Sequence, residues 1–253
     1  MVLTHTTNHA YSHPFPTVTL AFFLRYYSPQ LNPFSSHVLS TDTISSHVDP
    51  ATGRLHTTRV HMKKTRLPSA VVKLLPSSVT GGGGDKSSYV LETSVVDIKE
   101  GWMKTESRNM NYTGVLSVVE QQHYSTTSPD QATSAPNSSL TPVAHRPLAP
   151  NTFVTTTFSY RSTLGAKKHE KIASESTDAS EEQTPRRLGD WISGWGAKRI
   201  QRSIESIASN KTDDQITKSR DGMRIVLERL RNNGVVAVLR ELRRREGKNV
   251  FDQ

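Results

Sequence analysis

Cysteine is absent from the 253 residues of the chain, so disulfide frameworks and cysteine-ligated zinc are excluded, and composition is silent on the redox compartment. No apolar run approaches the ~20 residues that a bilayer-spanning helix needs. The opening MVLTHTTNHAYSHPFP has no basic residue and no apolar core, so neither a secretory signal nor an Arg-rich transit peptide is expected. Hydrophobic residues make up only 34% of the chain while Ser, Thr, Asn and Pro are plentiful, which predicts that part of the length is linker. The remainder is long enough to bury a core, as one large domain or two small ones. Acidic residues are outnumbered, 23 against 32 Lys and Arg, giving a net charge of +9 and a pI near 9.8. The expected partners are therefore anionic: nucleic acid, anionic lipid or an acidic substrate.

What is present is organised around His37 to Pro68. Val38 to Ile44 and Leu55 to Met62 are rich in β-branched residues and alternate in polarity, which predicts two half-buried strands. Asp49-Pro50-Ala51-Thr52-Gly53 between them has hairpin-turn chemistry. The second strand carries Leu55, Thr57, Arg59 and His61 on one face and ends in Lys63, Lys64 and Arg66. A solvated amphipathic strand explains those cations, and so does a sheet facing an anion.

Val2 to Tyr11 reads as a first strand, with His5, His9 and His13 at a spacing of four. Their separations along a strand are too long for one ion, so no metal is expected and the histidines read as an edge-strand surface. A short helix follows from Pro14-Phe15-Pro16 through Tyr26, with Val18, Ala21, Phe22 and Arg25 on one stripe. A guanidinium ending an apolar stripe must reach solvent or meet an anion, because burying it unpaired is costly. Gly81 to Gly84 lack a phosphate-loop ending and read as flexible loop. Tyr89 to Asp97, Trp102 to Met110 and Val115 to Tyr124 predict three more strands in an antiparallel meander, and Thr152 to Tyr160 another. Three stretches, about 77–87, 125–150 and 167–187, read as flexible inserts.

From Leu188 the period is helical. Leu188, Trp191, Ile192 and Trp195 form one stripe, and Ile200, Ile204, Ile207 and Ala208 continue an apolar face. A break is expected near Asn210 to Asp214, with Thr212 as N-cap, before Ile216, Met223, Leu227 and Leu230. Lys211, Gln215 and Lys218 share a flank beside the apolar face. The basic stretch from Arg240 to Lys248 reads as a solvated helix end.

Other function classes find less support. The cations lie on separate elements without a stacking-aromatic signature, which argues against a nucleic-acid module. Neither a nucleophile elbow nor paired acid and base carboxylates nor a ligand cluster appears, so no enzyme and no cofactor are expected.

Six short motifs in order resemble the PRELI/MSF family of mitochondrial intermembrane-space lipid-transfer proteins, and within it the fungal phosphatidic acid carriers. They are Met1-Val2-Leu3; Ala21-Phe22-Phe23 with Arg25-Tyr26; Ser36-His37-Val38-Leu39-Ser40 with Asp42-Thr43-Ile44; Thr57-Thr58-Arg59; Glu92 with Ser94-Val95-Val96; and Lys218-Ser219-Arg220 with Gly222-Met223. The resemblance covers residues 1–124 and about 152–232. It implies an α+β domain over 1–232, a basic extension over 233–253, and a curved antiparallel sheet of six to seven strands. A short N-terminal helix, a lid loop from about Arg66 to Lys86 and a long C-terminal helix would complete a lipid cavity. The implied cargo is phosphatidic acid, moved from outer to inner mitochondrial membrane in support of cardiolipin synthesis, with phosphatidylserine as the alternative. A small helical-hairpin partner stapled by twin-Cys disulfides, and transient contact with anionic mitochondrial membranes, are implied as well. Carried over, the headgroup site comprises Arg25, His37, Lys63, Lys211, Gln215 and Lys218, supported by Arg59 and Arg66; Lys64 is the alternative to Lys63. The chain departs from the family in lacking a lid tryptophan near Ser69-Ala70 and in carrying Glu205-Ser206-Ile207 where a Glu-Asp-Trp is expected.

Overall fold

A computed structural model of the chain describes residues 2–64, 87–111, 113, 116–128, 149–162 and 195–251; at 2, 162, 195–211 and 245–251 it describes the backbone. Seven strands and three α-helices follow in the order β1 (Val2–Tyr11), α1 (Phe15–Leu24), a 3-10 turn (Pro33–Ser35), β2 (Val38–Val48), β3 (Leu55–Lys64), β4 (Ser87–Asp97), β5 (Trp102–Asn109), β6 (Leu116–Ser125), β7 (Thr152–Ser162), α2 (Trp195–Asn233) and α3 (Val235–Phe251). The strands form one antiparallel sheet in the order β1-β7-β6-β5-β4-β3-β2. A meander runs from β2 to β7, and β1 closes onto β7 at the far edge. The chain passes from one edge of the sheet to the other between β1 and β2 through α1, and α2 packs on α1, the 3-10 turn, β7 and β1.

Local chemistry explains the boundaries. Pro14 precedes α1 with extended backbone, and Pro16 sits where a missing N–H costs nothing. The β2–β3 turn is closed by Asp49, whose side chain accepts from the Ala51 N–H at 3.0 Å, and by Gly53 at φ +70°. β2 runs on to Val48, four residues beyond the expected Ile44, because the ladder with β3 continues through Val48↔Leu55 past a register shift at Thr43/Ser45.

The expected break at 210–214 does not occur. α2 is continuous from Trp195 to Asn233, and Thr212 lies inside it rather than capping it. Its buried hydroxyl meets the Tyr160 hydroxyl, and Ile216 packs on Phe158 and Tyr160 of β7. Tertiary packing thus overrides the local capping signal. The helix stops instead at Gly234, whose φ of +72° suits a left-handed C-terminal residue. The long C-terminal helix is followed by a second one, α3. α3 is also more than a solvated end, since Val238 and Leu242 join the core. The stripe at 188–194, the Gly81–Gly84 loop, the lid segment and most of the inserts lie outside the described residues.

One concave core joins the layers. Phe15, Val18, Ala21 and Phe22 of α1 sit between the sheet (Val96, Met103, Tyr124, Val154) and α2 (Met223, Val226, Leu227, Leu230). Close approach of α2 requires Gly222, where an added Cβ would lie 2.6 Å from the Asn32 Oδ1. Asn32 in turn donates from Nδ2 to the Arg25 carbonyl at 2.9 Å, so α2, the 3-10 turn and the end of α1 are locked together at Arg25.

Candidate functional site

Strand register arranges the concave face in rungs. Leu55, Val96, Met103, Tyr124 and Val154 lie opposite one another and form an apolar rung. The next rung is Thr57, Ser94, Thr105, Gln122 and Thr156, all buried. The third is Arg59, Glu92, Ser107, Glu120 and Phe158. Past it, His61 and Tyr160 are buried, and Val90, Leu116, Val118 and Leu3 are half-buried. The face thus grades from sealed hydrocarbon, through hydroxyls and amides, to charge and then to a mixed rung that packs in part on α2.

The charge centre is a buried triad. Arg25 leaves the last turn of α1 and donates from Nη2 to Glu92 Oε2 at 2.8 Å. Arg59 of β3 donates from Nε to Glu92 Oε1 at 3.0 Å and from Nη2 to the same oxygen, while its Nη1 reaches the Phe23 carbonyl at 3.2 Å. The Arg25 guanidinium also lies 4.0 Å from the Phe22 ring centroid and 4.6 Å from that of Tyr26. Two guanidiniums on one carboxylate leave one positive charge uncompensated. Burial alone would push the Glu92 carboxyl up, but Arg25, His61 (Nε2 at 3.4 Å) and Arg59 hold it well below the usual carboxylate range. The anion expected opposite Arg25 is thus, in part, the protein's own Glu92.

Glu120, half-buried on the same rung, behaves oppositely. Burial raises its pKa, and Arg25 and Lys63 oppose the rise without cancelling it. It accepts from Gln122 Nε2 at 2.6 Å, and Gln122 Oε1 accepts from the Tyr124 hydroxyl at 2.7 Å.

Of the residues expected at the site, Arg25, Arg59 and Lys63 come together. The Lys63 Nζ is 5.2 Å from the centroid of Tyr26, the ring that Arg25 also covers. Lys63 is half-buried on the concave face and Lys64 is exposed. His37 is exposed, with Nδ1 3.1 Å from the Phe34 carbonyl; partial desolvation, then Lys63 and Lys218, lowers its pKa. Lys218 is thus electrostatically coupled to this end of the sheet, although it and Gln215 are both exposed on α2. Arg66 and the Lys211 side chain lie outside the described residues.

Glu92 and Glu120 were the residues without an assigned role. The available signal was the one that marked Arg25: a charge in phase with an apolar face, here Val90, Ser94 and Val96 around Glu92 and Val118 and Tyr124 around Glu120. On β1, His5 and His9 face α2. His5 Nε2 is 3.4 Å from Asp213, while the His13 carbonyl accepts from Thr152, so the three histidines have separate surroundings.

The model of the PRELI-like family matches residues 16–144, just over half of the chain. The chain belongs to the PRELI-like family. It is 41% identical over 135 residues to the protein UPS1, mitochondrial, of Saccharomyces cerevisiae, covering 53% of this chain and 69% of that protein. The ups1 homolog of Schizosaccharomyces pombe is 35% identical over 108 residues, 43% of this chain and 56% of that one. The human PRELI domain-containing protein 1, mitochondrial, is 35% identical over 107 residues, 42% of this chain and 44% of that one. The chain thus spans about half the length of those last two relatives. Among solved structures, the Zhui aromatase/cyclase of Streptomyces sp. R1128 aligns over 93% of this chain and 99% of its own, at 7% identity and a TM-score of 0.45.

Proposed function

We propose that this chain is a mitochondrial phospholipid-transfer protein that carries phosphatidic acid through the intermembrane space from outer to inner membrane, in support of cardiolipin synthesis. Family membership and the mitochondrial relatives support lipid transfer in mitochondria as the general activity. The observation that carries the finer reading is the Arg25–Glu92–Arg59 triad with its uncompensated positive charge at the floor of a concave, partly apolar face. Two acyl chains hold about thirty methylenes, and exposing them to water costs on the order of 20 kcal/mol at ~0.8 kcal/mol each. A carrier therefore has to shield hydrocarbon and hold one phosphate, and it needs no reacting group. Arginine suits the second task because its planar fork engages phosphate through two hydrogen bonds and stays charged when buried. In this reading Arg25, Arg59 and Lys63 meet the phosphate, with His37, Lys211, Gln215, Lys218 and Arg66 around the entrance and residues 66–86 as the lid. A small twin-Cys helical-hairpin partner and transient contact with anionic membrane complete the cycle.

Phosphatidylserine is the second reading, and Glu120 favours it, because a carboxylate beside Arg25 and Lys63 suits a headgroup with its own ammonium. Native mass spectrometry of the chain co-expressed with its partner, together with transfer between liposomes, tests both. Bound phosphatidic acid and its transfer are expected. Recovery of phosphatidylserine instead, with Glu120→Gln shifting preference toward phosphatidic acid, selects the second reading, and failure to retain any phospholipid refutes both.

A further inference from the structure

Helix α2 has basic character on both flanks of its core-facing stripe. One flank carries Lys218 and leans toward the 3-10 turn, where Gly222 meets Asn32. The other faces the free edge of the sheet at β1, and between them lies a cleft of about 320 Å³ lined by His9, Tyr11, Thr217, Arg220, Asp221 and Arg224. A liquid water fills roughly 30 Å³, so the cleft has room for an anion and part of its hydration shell. None of these residues belongs to the lipid site proposed above.

Arg220 dominates the cleft. Its Nη2 donates to the Thr7 Oγ1 at 3.1 Å, which fixes the guanidinium against β1. Its Nε is buried and finds no acceptor among the described residues. Arg25, Arg54 and Arg59 each sit on a carboxylate. Arg220 has no carboxylate within salt-bridge distance among the described residues, although Asp221 lines the same cleft. Both ring nitrogens of His9 are likewise buried without a partner among the described residues. Burial and then Arg220 push the His9 pKa down to about 4, so the ring is neutral near pH 7 and has one N–H to donate. The lining thus carries two cations, one carboxylate and several unused donors, with one net positive charge.

We infer that this cleft is a second anion site, separate from the lipid headgroup site, that takes a phosphate oxyanion between Arg220 and Arg224. Thr7 is a positioning residue that aims the guanidinium, His9 supplies a neutral donor, and Asp221 limits affinity by opposing the charge. A phosphate of this kind reaches the cleft from a membrane phospholipid, holding the β1 edge against the bilayer, or from solution as the free ion. The chemistry of capture is the same in either case.

The test titrates the 253-residue chain with inorganic phosphate while following the His9 ring by NMR, the resonance being assigned through His9→Gln. Vesicles of phosphatidylcholine with and without phosphatidic acid form a second arm. A saturable His9 shift, weakened about ten- to a hundred-fold by Arg220→Gln, is expected from loss of a charge-assisted partner. Asp221→Asn should tighten binding, and Lys99→Gln, beside the Gly53 turn, should leave it unchanged. A response to free phosphate assigns a soluble source; a response only to phosphatidic acid vesicles, lost in Arg220→Gln, assigns the membrane. The proposal fails if neither probe binds, or if the response survives Arg220→Gln undiminished. Should Arg220→Gln not fold, Asp221→Asn decides, since unchanged or weaker affinity in that folded variant overturns the site.

Discussion

Replacing Glu92 with Gln separates the two jobs of the buried triad. Glu92 is 1% exposed and serves as the counter-charge for Arg25 and Arg59, whose side chains are 7% and 6% exposed. Glutamine keeps the shape and one acceptor oxygen but removes the charge, so two guanidiniums are left buried against an amide. Removing one partner of a buried ion pair costs about 3–5 kcal/mol. The low end applies here, because the Phe23 carbonyl at 3.2 Å and the Phe22 and Tyr26 rings at 4.0 and 4.6 Å still receive the guanidiniums. A loss of about 3 kcal/mol in a domain of this size lowers Tm by about 6–12 °C. If a lipid phosphate sits on the same guanidiniums, it replaces the missing carboxylate. The lipid-free variant should then show the full fall in Tm, and the phosphatidic acid-loaded variant less than half of it. Melting curves of wild type and Glu92→Gln, each lipid-free and loaded, measure this. A fall in Tm that lipid does not reduce would show that the triad is a structural staple and that the phosphate binds elsewhere. A fall below about 2 °C would show that Glu92 does not hold the arginines at all.

Three further outcomes follow from the same geometry. Arg25→Ala removes one partner of Glu92 but leaves Arg59 in place, so it should cost about 1.5–3 kcal/mol of stability. Its phosphatidic acid transfer between liposomes should fall by tens- to thousands-fold; wild-type transfer would remove Arg25 from the site. Gly222→Ala places a Cβ 2.6 Å from the Asn32 Oδ1 and should cost about 1–3 kcal/mol, read as a lower denaturant midpoint; an unchanged midpoint would mean that α2 shifts freely over the 3-10 turn. His9 has its folded pKa lowered from 6.5 to about 4, so the fold favours its neutral form; the stability this provides is complete above pH 6.5 and is lost as pH falls from there toward 4. Tm measured across that window should decline less steeply in His9→Gln than in wild type, and parallel curves would refute the assignment.

The strands were legible because alternation is a local signal. The period-2 pattern from Leu55 to Met62 needs no knowledge of what lies opposite, and it put Thr57, Arg59 and His61 on one face, where the structure buries all three. The middle of α2 was harder. Thr212-Asp213-Asp214 has the composition of a helix start, and only the contact of Thr212 and Ile216 with β7, more than fifty residues away in sequence, makes a continuous helix the better solution. Arg25 shows the same limit at the site itself. Its position on an apolar stripe announced that it must find an anion, but Glu92 lies 67 residues away and is brought to it only by the packing of α1 on the sheet. A single sequence states that a buried charge has a partner and cannot state which one. That distinction bears on how the proposed site would work. An arginine waiting unpaired for a phosphate would bind it at the full strength of a bare buried cation and release it slowly. If, as proposed, Arg25 also meets a lipid phosphate, an arginine already on Glu92 would exchange one anion's company for another's, so that capture and release would be more nearly balanced, as a carrier that loads at one membrane and unloads at the next requires.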